Sequence, residues 1–347
     1  MEKVRFIENK EELQKQLVAY ISSFSKVFVL VDSNTEKHCL PLIKPVDFSF
    51  SYNVISIPAG EQNKTLSSCE FIWKTLTENN TDRNALLISL GGGMITDIGG
   101  FAAATFKRGI PHIHIPTSLL AMVDASVGGK NGVDFHGIKN LIGTIDFNYE
   151  SWICPAFLHT LPERELKSGF AEIIKHYLIA DAKSFQFISD SEFGLGNLTW
   201  FDTIQKAVAI KQHFVAKDPY EKNDRKALNF GHTIGHAVES VFLNTNAPLL
   251  HGEAVALGMI CESYISHKKD LLSAEDLKEI SEFIVSNFNL PKLGKSLPIL
   301  DFVRHDKKNT NTINFALLNG IGNYAINQPV SEDLIVASLN YFNEQNG

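Results

Sequence analysis

The sequence is poor in cysteine. Cys39, Cys69, Cys154 and Cys261 are the only four among 347 residues, and no two stand in CxxC spacing. That argues against a thiolate zinc cluster and a disulfide scaffold. It suits reduced thiols in a cytoplasmic protein. No stretch approaches the roughly 18 apolar residues of a membrane span. The opening Met1–Glu8 lacks the long apolar region of a signal peptide. Positive charge is in deficit, with 32 Lys and Arg against 39 Asp and Glu and a net charge of −7. Nonspecific nucleic-acid binding is therefore disfavoured. The expected partners are small molecules, with neither nucleic acid nor membrane, and an anionic ligand would need a local basic pocket. There is also no internal repeat, no low-complexity segment and no GxGxxG fingerprint.

What is present is ordinary globular material, 44% hydrophobic, in a chain long for one core. Two domains are expected. Val27–Val31 is a continuous apolar run and predicts a buried strand. It ends in Asp32, Ser33 and Asn34. In open α/β sheets ligands collect at such ends, although a turn or helix cap uses the same residues. Tyr52–Ile57 predicts a second strand, followed by the loop Pro58–Lys64 and an amphipathic helix from Ser67 to Glu78. Ala85–Leu90 predicts a third. Strands alternating with helices imply a largely parallel sheet. The third strand runs into Gly91, Gly92 and Gly93, then into a small-residue helix through Phe106. Three consecutive glycines are costly in a mere turn. The pattern predicts a pyrophosphate cradle at a helix N-terminus. Asp97 suits either a ligand's ribose or amide or the first turn of that helix. A short strand, His112–Pro116, comes next. Asp124, Lys130, Lys139 and Asn140 then crowd a segment with five glycines, which predicts a ligand-lined loop.

After Trp152 helical patterns dominate: Glu163–Ile179, Lys183–Ser189, Trp200–Ala216, Leu228–Leu243, Glu253–His267, Ala274–Asn287 and Ser331–Asn343. Thr312–Phe315 and Gly322–Ile326 are candidate strands. The expected division is an α/β domain over 1–155 and a mostly α-helical domain over 156–347.

The helical half holds the densest chemistry, from Arg225 to Glu253. His232 and His236 are four apart, which stacks them on one helical face. His251 follows a break at Pro248. Three histidines among glycines predict a divalent metal site, and spacing alone selects His232 and His236 first. Glu172 and Lys175 share a helical face inside the largely apolar Ser168–Ile179. A buried carboxylate needs a cation or a metal, so Glu172 is the candidate third ligand. Two histidines and a glutamate leave open positions, as catalytic zinc requires. Lys211, Arg225 and Lys307–Lys308 add positive charge. Thr233, not glutamate, follows His232, which argues against an HxxxH metallopeptidase.

Five segments together resemble the dehydroquinate synthases of the sugar-phosphate cyclase family: 91–109, 116–134, 169–179, 225–239 and 249–259. The likeness runs from about residue 27 to 310 in order and spacing. It departs at Ser118, where the family usually has Thr, and at Met122, where Gln is common. The resemblance implies a Rossmann-like N-terminal domain binding NAD, a helical C-terminal domain holding zinc or cobalt, and a homodimer. It implies Glu172, His232 and His251 as metal ligands, with His236 nearby but not ligating. Implied NAD contacts are Asp32, Asn34, Glu61, Lys64, the Gly93–Asp97 turn, Thr117, Ser118, Lys130, Lys139 and Phe157, Leu158, His159 and Thr160. Implied substrate contacts are Asp124, Lys130, Asn140, Lys175, Lys211, Arg225, Asn229, His236, Arg108 from a partner subunit, and Lys307 or Lys308. The implied reaction converts 3-deoxy-D-arabino-heptulosonate 7-phosphate to 3-dehydroquinate and phosphate by transient oxidation, elimination, reduction and aldol closure. Polyol dehydrogenases of the glycerol-dehydrogenase type and cyclases making inosose or valiolone are the rival enzymes. A nucleotide sensor without the metal is the rival of another class.

Overall fold

The computed structural model describes residues 3–44, 52–136, 138–190, 195–243, 245–294, 298–305 and 313–346. The chain forms two compact units. One is Met1–Leu166 with Thr199–Val208; the other is Lys167–Leu198 with Ala209–Gly347. The first unit thus runs past residue 155 and takes in part of a later helix, Trp200–Lys217.

The first unit is built on a six-stranded sheet. Its strands are β1 (Lys3–Phe6), β2 (Val27–Asp32), β3 (Asn53–Ile57), β4 (Leu86–Gly91), β5 (His112–Pro116) and β8 (Tyr149–Ile153). The order is β1-β8-β5-β4-β2-β3, and every pair is parallel. Strands β2, β4 and β5 are buried at every residue. Burial on both faces explains why their sequences are apolar runs without alternation. The core includes Phe28, Leu30, Leu87, Ile95, Ile98 and Phe101. From β2 the chain passes to β3 on one side and then crosses to β4 on the other. This reversal opens a crevice at the C-terminal ends of β2 and β4, where open α/β sheets take ligands. The helix Gly93–Thr105 starts there. It lies so close to the sheet that a Cβ on Gly99 would stand 2.0 Å from Ser89 Oγ and 3.1 Å from Leu30 Cδ2. Its small residues are therefore a packing requirement.

Two sequence expectations change here. The segment after Lys130 is not a loop. It is an antiparallel hairpin, β6 (Lys130–Phe135) with β7 (Ile138–Ile145). Gly132 and Gly143 pair within it, and a Cβ on either would meet the opposite backbone, at 2.8 Å from Ile142 O or 2.3 Å from Asn131 O. These glycines mark close strand contact, which composition cannot distinguish from a flexible turn. The edge strand β1 and its neighbour β8 carried no distinct pattern. They are held in part by Arg5, whose Nε lies 2.5 Å from Glu150 Oε2 and whose guanidinium sits over the Trp152 ring.

The second unit contains the helices Ala182–Ser189, His232–Phe242, His251–Lys268, Ala274–Asn287, Ile299–His305 and Glu332–Gln345, and most of Glu163–Ala180. An antiparallel pair, β9 (Ile313–Leu318) and β10 (Tyr324–Val330), completes it. The helix His251–Lys268 is buried almost all round, which marks it as the central rod of this unit. The expected helix from Leu228 is interrupted. Gly231 adopts φ 80°, a left-handed conformation open to glycine, so the helix begins at His232 after a short 3₁₀ turn, Asp224–Asn229. Among the described residues no helix is long and apolar enough to cross a membrane.

Candidate active site

The first unit gathers polar groups at the strand ends. Asp32 closes β2, and its Oδ1 accepts from Asn34 N at 2.9 Å and Thr35 N at 2.8 Å, capping the short helix Ser33–His38. The capping reading of this acid is thus correct, and the acid also faces the crevice end of β2. At the end of β4, Gly92 is extended and Gly93 opens its helix without a side-chain cap. The first helical N–H groups there are available to an anion, as a phosphate cradle requires. Thr117 N donates to Gly91 O at 2.9 Å, and a Cβ on Gly92 would lie 3.3 Å from Ser118 Oγ. Thr117 and Ser118 therefore abut the glycine turn.

A second group centres on Lys64, which is 3% exposed. Its Nζ donates to Asp97 Oδ2 at 2.5 Å and Asn140 Oδ1 at 2.6 Å, and lies 3.6 Å from Glu61 Oε1. Burial opposes its charge, but Asp97 and Glu61 outweigh that and hold the ammonium well above its ordinary range. Asp97 is thus a partner of Lys64, and Asn140 reaches the same place from β7. Asp134 was not singled out from sequence; its Oδ1 accepts from Asn140 N at 2.8 Å and its own N–H donates to Lys64 O. Phe157 and Leu158 are buried, His159 is exposed, and Thr160 Oγ1 donates to Phe157 O at 2.7 Å. Lys130 and Arg108 are exposed, Asn34 is exposed, and Asp124 and Lys139 are half-buried.

In the second unit Glu172 and Lys175 are both buried, at 0% and 1% side-chain exposure, and form an ion pair through Oε2. Glu172 Oε1 faces two imidazoles, with His232 Nε2 at 3.4 Å and His251 Nε2 at 3.6 Å. The backbone and a carboxylate orient those rings. His232 Nδ1 is 3.1 Å from Phe230 O, so its N–H donates there and Nε2 is turned to Glu172. His251 Nδ1 is 3.3 Å from Glu239 Oε2, which leaves its Nε2 to the same carboxylate. His236 is exposed, with its ring centroid 5.2 Å from that of His232 and 5.7 Å from that of His251. One nitrogen from each of the three lies within 4.8 Å of the others.

Two further contacts place this cluster. Gly252 follows His251 and packs against the Glu172 helix so closely that a Cβ would stand 1.9 Å from Ser168 O. Ser168 Oγ accepts from Gly252 N at 3.0 Å. Nearby in sequence, Arg225 is buried, donates from Nη1 to Pro219 O at 2.7 Å, and has its backbone N–H on Asp218 Oδ2. Lys211 is also buried. Asn229 Nδ2 donates to Glu221 Oε1 at 2.6 Å. Glu221 was not singled out from sequence, and Glu239 stands in the Arg225–Glu253 stretch without an assigned role. Lys307 and Lys308 lie outside the described residues.

The electrostatics fit a cation. Burial pushes the Glu172 carboxyl up, but Lys175 and then the two histidines overcome it and hold it well below the usual carboxylate range. Burial, and next the Lys175 charge, keep His232 neutral, far below 6.5. Burial opposes a proton on His251 too, yet Glu172 and Glu239 carry that imidazole up to about 10. Neither Glu172 oxygen accepts a hydrogen bond of normal geometry. Ligand atoms bound at about 2.0–2.2 Å around a tetrahedral ion stand roughly 3.4 Å apart. The 3.4 and 3.6 Å separations at Glu172 Oε1 match that spacing. A divalent ion can replace the His251 proton and bind Glu172 Oε1, the oxygen that faces the two imidazoles.

Comparison with known proteins agrees with this. Residues 54–168 match the family profile described as 3-dehydroquinate synthase N-terminal, and residues 169–309 match its C-terminal counterpart. The chain belongs to the 3-dehydroquinate synthase family. A 3-dehydroquinate synthase from Parabacteroides distasonis is 40% identical over 345 residues, covering 97% of each chain. Among solved structures, a 2-epi-5-epi-valiolone synthase from Streptomyces hygroscopicus subsp. jinggangensis 5008, with NAD+ and Zn2+ bound, superposes with a TM-score of 0.85. It is 26% identical, with 99% of this chain and 97% of that one covered. A 2-deoxy-scyllo-inosose synthase complexed with carbaglucose-6-phosphate, NAD+ and Co2+ gives 0.81 at 25% identity, covering 97% and 96%. The architecture is thus that of dehydroquinate synthase-like sugar-phosphate cyclases, a parallel α/β unit and a mostly helical one.

Proposed function

We propose that the chain is a 3-dehydroquinate synthase of the shikimate pathway, a phosphate-eliminating carbon–oxygen lyase dependent on NAD and a divalent metal. It takes 3-deoxy-D-arabino-heptulosonate 7-phosphate to 3-dehydroquinate and phosphate. The observation that carries the reading is the buried Glu172 carboxylate facing His232 and His251, in a chain that matches this family along most of its length. Glu172, His232 and His251 would hold the ion, zinc or cobalt. The Gly93–Asp97 turn, Asp32, Asn34, Glu61, Lys64, Thr117, Ser118, Lys130, Lys139 and the 157–160 turn would hold NAD. When bound, these groups supply Lewis-acid polarisation of a substrate hydroxyl and a hydride acceptor.

The chain's own side chains do the rest. Lys175 neutralises Glu172 and leaves its Oε1 for a ligand. Lys130, Lys211 and Arg225 meet a substrate that carries a carboxylate and a phosphate, with charge-assisted hydrogen bonds that an acidic protein must concentrate locally. Asn140 and Asp124 orient its hydroxyls. Asn229 is set by Glu221. His236, exposed beside the other two histidines, hydrogen-bonds phosphate or relays a proton. Arg108 is exposed and would serve the site of a second copy in a cytoplasmic homodimer. Lys307 or Lys308 would complete the basic set.

The deciding experiment is incubation with the sugar phosphate, NAD+ and zinc, following phosphate and NADH together. Phosphate release without net NADH is expected, because the cofactor is restored within each turnover. Stoichiometric NADH would identify a polyol dehydrogenase instead.

A further inference from the structure

Glu262 is fully buried on the His251–Lys268 helix, about three turns from His251. Its carboxylate reaches the neighbouring helix at the start of its first turn. Oε2 accepts from Gly231 N at 2.7 Å and Oε1 from Ile234 N at 3.0 Å. Gly231 is the N-cap of the His232 helix and makes no side-chain cap of its own. Glu262 therefore supplies that cap from another element, satisfying N–H groups that would otherwise be buried orphans. A carboxylate at this position also complements the helix dipole.

The two helices meet backbone to backbone around this contact. A Cβ on Gly258 would stand 1.9 Å from Gly231 O and 2.8 Å from Gly235 N, and one on Gly235 would stand 3.1 Å from Ala254 O. The glycines allow contact, but they do not choose a register along it. The two hydrogen bonds do, because they attach fixed atoms of one helix to a fixed side chain of the other. His232 and Thr233 lie between the two amides that Glu262 holds. We propose that Glu262 is the positioning residue of the metal centre: one helix carries His251 as a ligand and also the carboxylate clamp that sets His232 against it. Glu262 touches no reacting group and acts through the Gly231–Ile234 turn. The inference rests on the metal reading above, and groups supporting metal ligands commonly change affinity by 10–100-fold when lost.

The test uses the full chain stripped of metal and then given Co2+ alone or Zn2+ alone. Affinity is read by competition with a chromophoric chelator, and ligand geometry by the visible Co2+ spectrum. E262Q keeps the shape but turns an amide N–H toward a backbone N–H. It is expected to keep its far-ultraviolet circular dichroism, to bind Zn2+ roughly 10–100-fold more weakly, and to change the Co2+ bands. I260A removes buried volume from the same helix. It should lower the unfolding temperature while leaving affinity and spectrum unchanged. Should E262Q fail to fold, E262D retains the charge on a shorter stem and is expected to alter the same two readouts. Wild-type affinity and an unaltered spectrum in the folded variant overturn the proposal. The same perturbation in I260A also overturns it, since a merely structural role then suffices. Absence of Co2+ binding in the wild type overturns the metal reading itself, and the role of Glu262 with it.

Discussion

Replacing Lys175 by methionine tests the electrostatic construction of the site. Lys175 is 1% exposed and pairs with Glu172, which is 0% exposed. Methionine retains most of the side chain's bulk, so the change removes a charge more than it opens a cavity. It leaves a carboxylate in the interior whose oxygens accept no normal hydrogen bond. Breaking one side of a buried ion pair costs about 3–5 kcal/mol. In a unit of this size that lowers the unfolding midpoint by roughly 6–20 °C. Bound zinc supplies the missing positive charge at Glu172 Oε1, so the loss should shrink in zinc-saturated protein. The assay is thermal unfolding of wild type and K175M, each with chelator and with excess zinc. A large loss without metal and a smaller one with zinc is expected. If K175M matches wild type without metal, Lys175 does not hold Glu172 ionised, and the reasoning fails. If zinc leaves the difference untouched, Glu172 is not a ligand.

Two further outcomes are expected. His232→Ala and His251→Ala should each lose tightly bound metal, while His236→Ala should keep close to one ion per chain and turn over slowly; elemental analysis decides, and metal lost from His236→Ala but kept by His251→Ala would restore the His232/His236 pair. The second concerns acid stability. His112 and His114 are buried in β5, and burial lowers both below the ordinary 6.5. Below about pH 6.5 the unfolded chain takes up protons that the folded chain refuses, so stability falls on acidification, by up to about 1.4 kcal/mol per pH unit for each histidine, and levels off below the folded values. H114L should flatten that slope in urea unfolding between about pH 7 and 5; an unchanged slope would remove His114 from the account.

Local pattern was enough for much of the fold. The strands at Val27, Ala85 and His112, the glycine turn at Gly91 and most of the helices follow from apolar runs, periodicity and turn residues, all of which act over a few neighbours. The hairpin of β6 and β7 did not, because glycines at Gly132 and Gly143 have one composition and two uses. They pack two backbones together here, and only the partner strand reveals it.

The candidate residues show the same division. Sequence spacing singled out His232, His236, His251 and Glu172, and it favoured His232 with His236, since i,i+3 and i,i+4 pairs are the proximities a helical pattern displays. The tertiary structure turns Glu172 Oε1 toward His232 and His251, and it also brings a nitrogen of His236 within 4.8 Å of theirs. Phe230 O and Lys175 act on His232 and Glu172 from two and three residues away, but Glu239 turns the His251 ring from another helix and Glu262 holds the helix that bears His232 across 31 residues. Lys64 finds Asp97 and Asn140 across 33 and 76 residues. A side chain's type is written in the sequence, but its ionisation and direction depend on burial and on partners brought together by the long-range packing of helices and strands.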